Sequence, residues 1–170
     1  MEAIRIIRLP KSKAVTTGYA YNEEPFQRGG KLEAFDSFWS ALDKKRKDRW
    51  YTRDYLMYGR EQDAMIWYYA VPDDFEQDVS PWEITELEGG LYACALAKAD
   101  SFEDEQRVFG EIRQYIVDSK TFVLDERENH YDLCTVTTPP EAAEVMGYSQ
   151  LEIMVPIRLA AEVGHSESKS

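Results

Sequence analysis

Glu152 is an acidic residue whose surroundings solubility does not explain. It lies in the run Gln150-Leu151-Glu152-Ile153-Met154-Val155-Pro156-Ile157, where both faces of a strand are apolar except at this position. Moving a carboxylate out of water costs on the order of several kcal/mol unless it is paired or hydrogen-bonded. Two readings stay open. Glu152 is either a structural carboxylate satisfied by a backbone amide, a tyrosine or an arginine, or it lines a pocket and meets a ligand. A pocket carboxylate suits an organic cation, and beside a held water it also suits general base catalysis.

Aromatic residues occupy the matching place in the first half of the chain. "MIWYYAVP" ends at Pro72 as "QLEIMVP" ends at Pro156, 84 residues later. Aligning the two ends sets Tyr68 on Glu152 and Ala70 on Met154. Period-2 alternation then projects Tyr68 and Glu152 to equivalent sides of their strands, where a phenol could donate to the carboxylate. Trp67, Tyr68 and Tyr69 between them occupy both faces of their strand, although each taken singly reads more simply as core. Phe38 and Trp39 are neighbours on a helix, about 100° apart around its axis. Trp39, large and flat with one donor, is the better wall for a small organic ligand. The expected ligand-binding set is therefore Glu152, Tyr68, Trp39, Phe38, Trp67 and Tyr69. For an enzyme, the pair Glu152 and Tyr68 would carry the chemistry.

Other chemistry lacks its residues. His130 and His165 have no ligand spacing around them, and GxSxG, P-loop and GxGxxG patterns do not occur. Neither metal nor cofactor is expected.

These residues need elements to hold them. Leu32, Phe35, Phe38, Trp39 and Leu42 recur at helical spacing, as do Val108, Phe109, Ile112, Tyr115 and Ile116 behind the acidic opening Glu103 to Glu105. Strands are expected at 4–9, 14–21, 54–58, 64–71, 82–87, 91–98, 122–125, 130–136 and 150–159. Each half reads strand, strand, helix, strand, strand, with 122–125 an added edge piece. The openers "IRIIRLP" and "WEITELEGG" both place an isoleucine three residues before a leucine, Ile6 and Leu9 against Ile84 and Leu87. An internal duplication is the economical explanation. The expected fold is α+β: two pseudo-symmetric ββαββ halves, about 4–72 and 82–159, forming one antiparallel sheet with two long helices. Residues 161–170 read as a disordered tail of a single domain.

At 170 residues and 44% hydrophobic, the chain can build one real core. Its net charge of −12 gives the wrong field for steering onto nucleic acid or an anionic bilayer. No apolar run approaches the roughly 20 residues of a membrane span, and Met1 to Arg8 lacks the features of a signal peptide, so a cytoplasmic protein is expected. Cys94 and Cys134 sit in strand-like segments as reduced core thiols. Charge is uneven: residues 72–105 hold eleven acidic and one basic residue, and 43–53 hold six basic and two acidic. The basic run from Lys44 to Arg49 reads as the end of a helix, where cations favour the dipole.

The segments "LEGGLYACALA", "HYDLCTV" and the terminal "LEIMVPI", with "FxxFW" in the first helix, together resemble the GyrI-like, or AraC effector-binding, superfamily of bacterial small-molecule-binding domains, which has a SOUL-type doubled architecture. The resemblance covers Ile4 to Leu159. Two places depart from the pattern: "AKADSF" replaces a glycine that often follows the second-half opening strand, and Asp132 stands where Glu is more usual. The resemblance implies a ligand cleft along the seam between the halves, with the strand glutamate meeting cationic drugs. It implies a stand-alone, multidrug-type effector-binding protein for ligand sensing or sequestration, linked to transcription regulation only through another chain that supplies DNA binding. Two alternatives remain: a hydrolase of strained, cyclopropane-type toxic molecules with Glu152 as general base, and a gyrase-inhibitor-like module docking a protein partner through its acidic surface. The balance leans away from an enzyme, because no independent nucleophile accompanies the constellation.

Overall fold

The computed structural model describes residues 3–21, 27–47, 52–59, 62–127 and 130–161. Its elements, in chain order, are β1 (Arg5–Leu9), β2 (Ser12–Thr16), β3 (Ala20–Tyr21), α1 (Lys31–Asp43), β4 (Asp54–Gly59), β5 (Ala64–Ala70), β6 (Glu83–Leu87), β7 (Gly90–Lys98), α2 (Phe102–Ser119), β8 (Phe122–Leu124), β9 (Leu133–Val136), α3 (Pro140–Met146) and β10 (Gln150–Leu159). The class is α+β with antiparallel strand pairing, as expected. No helix among the described residues is long and apolar enough to cross a membrane. The expected disordered tail, from 162 onward, lies outside the described residues.

The chain divides into two compact units. The first is Ser12–Leu87; the second joins Met1–Lys11 to Glu88–Ser170. In the first, β5 pairs with β4 on one side and β2 on the other, and β2 pairs with β6. In the second, β10 pairs with β9 and β7, and β7 pairs with β1. The two orders correspond strand for strand, with one exchange: the opening strand of each sequence half joins the sheet of the other half's unit. Register also shows the duplication. Tyr68 stands opposite Thr16 and Tyr55, and Glu152 opposite Leu96 and Thr135. The added strands differ, since β3 pairs with the start of β5 and β8 with the end of β10.

Within each unit a helix covers one face of the strands, because each helix has an apolar stripe to bury. Val108, Ile112 and Ile116 of α2 pack on Ala93, Ala95, Ala97, Ile153, Val155 and Ile157. Ser101 caps α2 by accepting from the Asp104 amide, and Glu103, Asp104 and Glu105 complement its positive end. In the first unit Leu32 and Phe35 of α1 pack on Val15, Trp67, Tyr69 and Val71.

Three local expectations need correction. The segment 14–21 is two strands: Gly18 takes φ +59 and donates its amide to Thr16 Oγ1, which breaks the ladder between β2 and β3. Helix α1 ends at Asp43 with no basic residue in its last turn, so the basic run starts only on its capping residue, Lys44; Arg49 is outside the described residues. A third helix, α3, was not expected; it buries none of its residues and so presents no periodic stripe in the sequence.

Candidate functional site

β10 runs between β7 and β9 in its sheet, and its odd-numbered residues face α2. The even-numbered ones, Glu152, Met154 and Pro156, therefore lie on the helix-free face. Directly paired residues share a face, which adds Leu133 and Thr135 from β9, Tyr92, Cys94 and Leu96 from β7, and Arg5 and Ile7 from β1. This face is buried without a helix: Glu152, Met154 and Cys94 are each 0% exposed, and Tyr92, Leu133 and Thr135 are buried.

Within that apolar surface, Arg5 Nη2 donates to Glu152 Oε1 in an ion pair. The pair is lopsided. The Arg5 side chain is 55% exposed, whereas that of Glu152 is 0% exposed. Arg5 stands opposite Cys94 in the register, so its chain crosses β7 to reach the carboxylate on β10. Burial pushes the Cys94 thiol up to about 12, with the Glu152 charge adding to it and the Arg5 charge opposing it. Cys94 is thus protonated at neutral pH and supplies no nucleophile. Cys134 is likewise pushed up to about 12 by burial, then by Glu105 and Asp132, and both cysteines are free thiols.

A second polar cluster sits on the second unit. Asp125 Oδ2 is 2.7 Å from His130 Nδ1, both side chains being nearly inaccessible, and the Asp125 amide donates to the Pro156 carbonyl. Arg127 donates to both Asp125 oxygens, Nε to Oδ1 at 2.7 Å and Nη2 to Oδ2 at 2.5 Å. Burial raises the Asp125 carboxyl, but the Arg127 hydrogen bond and the His130 and Arg127 charges outweigh it, leaving it below the usual value. The His130 ring is 6.3 Å from that of Tyr92.

The five aromatic candidates belong to the first unit. Tyr68 lies on the helix-free face with Tyr55, Met57 and Ile66, all buried, and its hydroxyl donates to Met57 Sδ at 3.6 Å. Tyr68 and Glu152 thus occupy corresponding faces of corresponding strands. Trp67, Tyr69, Phe38 and Trp39 lie on the helix side instead. Trp39 stacks on Tyr69 at 5.6 Å and meets Trp67 edge-on at 5.8 Å, while Phe38 is 5.9 Å from Phe35 and 6.2 Å from Trp82. Their polar tips are partly engaged: Trp67 Nε1 donates to Asp54 Oδ2 at 3.3 Å and the Tyr69 hydroxyl to Asp43 Oδ1 at 3.1 Å. These four build the packing between α1 and its sheet.

Sequence reasoning missed Arg5. Its place in "RIIRL" marks it only as one polar position of an amphipathic strand. The pairing of β1 with β7, far along the chain, is what brings it over Cys94.

The same fold occurs in solved proteins. Over 93% of this chain and 98% of its own, the C-terminal domain of EcmrR is similar with a TM-score of 0.62 at 8% identity. A hydrolase from Listeria innocua is similar over 92% of both chains, with a TM-score of 0.63 at 12% identity. SAV2435, solved bound to tetraphenylphosphonium, matches 96% of this chain and 98% of its own at a TM-score of 0.53 and 14% identity. No protein-family model matches the chain, and no curated protein matches its sequence. At such identities the likenesses establish the fold alone.

Proposed function

We propose that the chain is a small-molecule-binding protein for organic cations and amphipathic hydrophobes, acting as a sensor or sequestering protein. The observation that carries the reading is Glu152: a fully buried carboxylate on a helix-free, largely apolar sheet face, neutralised by an arginine that reaches in from a half-exposed position. Such a surface offers apolar contact to a lipophilic molecule and a buried charge for its cationic centre. In this reading Glu152 is the anionic contact of its unit; Tyr68 holds the corresponding place in the other unit, where Phe38, Trp39, Trp67 and Tyr69 stiffen the strand that carries it. The tetraphenylphosphonium complex of SAV2435 supports this ligand class by analogy of fold.

The hydrolase reading draws support from the Listeria protein's fold alone. Against it, the carboxylate that would serve as general base is already engaged by Arg5, and the nearby Cys94 thiol is held protonated. Mass spectrometry of whatever co-purifies with the folded protein tests the proposal. The expected result is a lipophilic, cationic or amphipathic molecule that raises the melting temperature when added back and is recovered unchanged after prolonged incubation. Recovery of a ring-opened or hydrated product would select the hydrolase instead, and the absence of any co-purifying or stabilising small molecule would count against both.

A further inference from the structure

We infer that Arg5 is the protein's own occupant of the cation subsite, and that an organic cation binds Glu152 by displacing the Arg5 guanidinium into solvent. The inference rests on the binding function proposed above and assigns a specificity-determining role to a residue outside the expected binding set.

The pair is asymmetric. Glu152 is held on a strand flanked on both sides, in direct register with Leu96 and Thr135, and cannot follow a partner outward. Arg5 lies on β1, which pairs with β7, and more than half of its side chain already meets water. Of the two ions, only the arginine can leave at little cost, because a long flexible side chain that is largely solvated loses little hydration in one position or the other. The pairing atom is also the atom a ligand would need. A cation approaching Oε1 meets the guanidinium already there, and two cations at one carboxylate oxygen repel each other. Exchange keeps the charge of the buried surface constant: one positive charge leaves as another arrives, and Glu152 is never left as a buried charge without a cation.

Two consequences follow. The cation must outcompete an intramolecular partner, so its apparent affinity is reduced by the fraction of time Arg5 is away. A neutral ligand that does not need Oε1 carries no such handicap. Arg5 therefore sets the threshold between cations that bind and those that do not: only a centre that adds substantial apolar contact beyond its charge displaces the guanidinium.

Isothermal titration calorimetry with tetraphenylphosphonium and the neutral triphenylphosphine oxide, on the wild type, Arg5→Met and Arg5→Lys, tests the exchange. Arg5→Met is expected to bind the phosphonium about tenfold or more tightly than the wild type, with the neutral oxide changed by less than about twofold. Arg5→Lys, whose ammonium lacks the planar fork and is more strongly hydrated, is expected to fall between them. If Arg5→Met fails to fold, Arg5→Lys decides, since it keeps a cation in place. Phosphonium affinity that stays equal or weakens in the folded variants overturns the exchange while leaving the binding function standing. Failure of every protein to bind either compound overturns both.

Discussion

Among the described residues, the buried acids Asp125 and Glu152 are satisfied in two different ways, and the two respond differently to substitution. Asp125 is held by neighbours close in sequence, Arg127 and His130, and serves to pin the turn after β8 against the Pro156 carbonyl. Glu152 is held by Arg5, 147 residues away, from a strand that the other sequence half would have been expected to use. The Asp125 arrangement makes a pH prediction. Its carboxyl titrates below the ordinary value of 3.8 in the folded protein, since its hydrogen bonds and neighbouring positive charges outweigh burial. A depressed folded value adds stability that is fully present above the unfolded value and is lost as pH falls through the folded one. Thermal melts of the wild type and Asp125→Asn between pH 2 and 6 should therefore show a gap that is full above about pH 4 and closes towards pH 2. A gap that stays constant down to pH 2 would mean the cluster contributes no ionic stabilisation.

The elements themselves were legible wherever an apolar period was strong. The stripes Leu32 to Leu42 and Val108 to Ile116 became α1 and α2, and nearly every expected strand lies within a few residues of its place. The Val-Pro alignment also put Tyr68 and Glu152 on corresponding faces, because a period of two carries face information directly. The sequence did not reveal which sheet the opening strands join. "RIIRL" and "EITEL" share the same alternation, and local pattern is silent about a partner some 80 residues away. In the structure Arg5 and Ile7 match Thr85 and Leu87, two residues off the sequence alignment of Ile6 with Ile84 and Leu9 with Leu87. A shift of an even number preserves the faces, so the duplication stayed visible despite it. The pairing of β1 with β7 brings the end of one strand close to the start of the other. Gly89 has φ +64, and a Cβ there would lie 2.5 Å from the Pro10 carbonyl carbon and 2.6 Å from both Leu9 O and Lys11 N. Backbone, unlike a side-chain tip, cannot move aside cheaply. Gly89→Ala is expected to destabilise by about 2 kcal/mol or more, measured by urea unfolding. A loss below about 0.5 kcal/mol would show that the β1 end and the β7 start tolerate separation.

The strands of the two units share a pattern that bears on function: among the described residues, each set has one face covered by a helix and another face with buried residues and no helix on it. In the second unit that other face carries Glu152, Cys94 and Met154, and in the first Tyr68, Tyr55 and Met57. A net charge of −12 makes the molecule attractive to cations over distance, although that field is screened beyond about 8 Å at physiological salt, so selectivity must come from a local group. Glu152 is the local group assigned here. Calorimetric titration of the wild type and Glu152→Gln with tetraphenylphosphonium and triphenylphosphine oxide tests that assignment most directly, because the amide keeps the side chain's shape and removes its charge. The wild type is expected to prefer the cation by about tenfold or more, and Glu152→Gln to lose that preference or reverse it as Arg5 is left without its counter-charge. Retention of the full cation preference in folded Glu152→Gln would contradict the account.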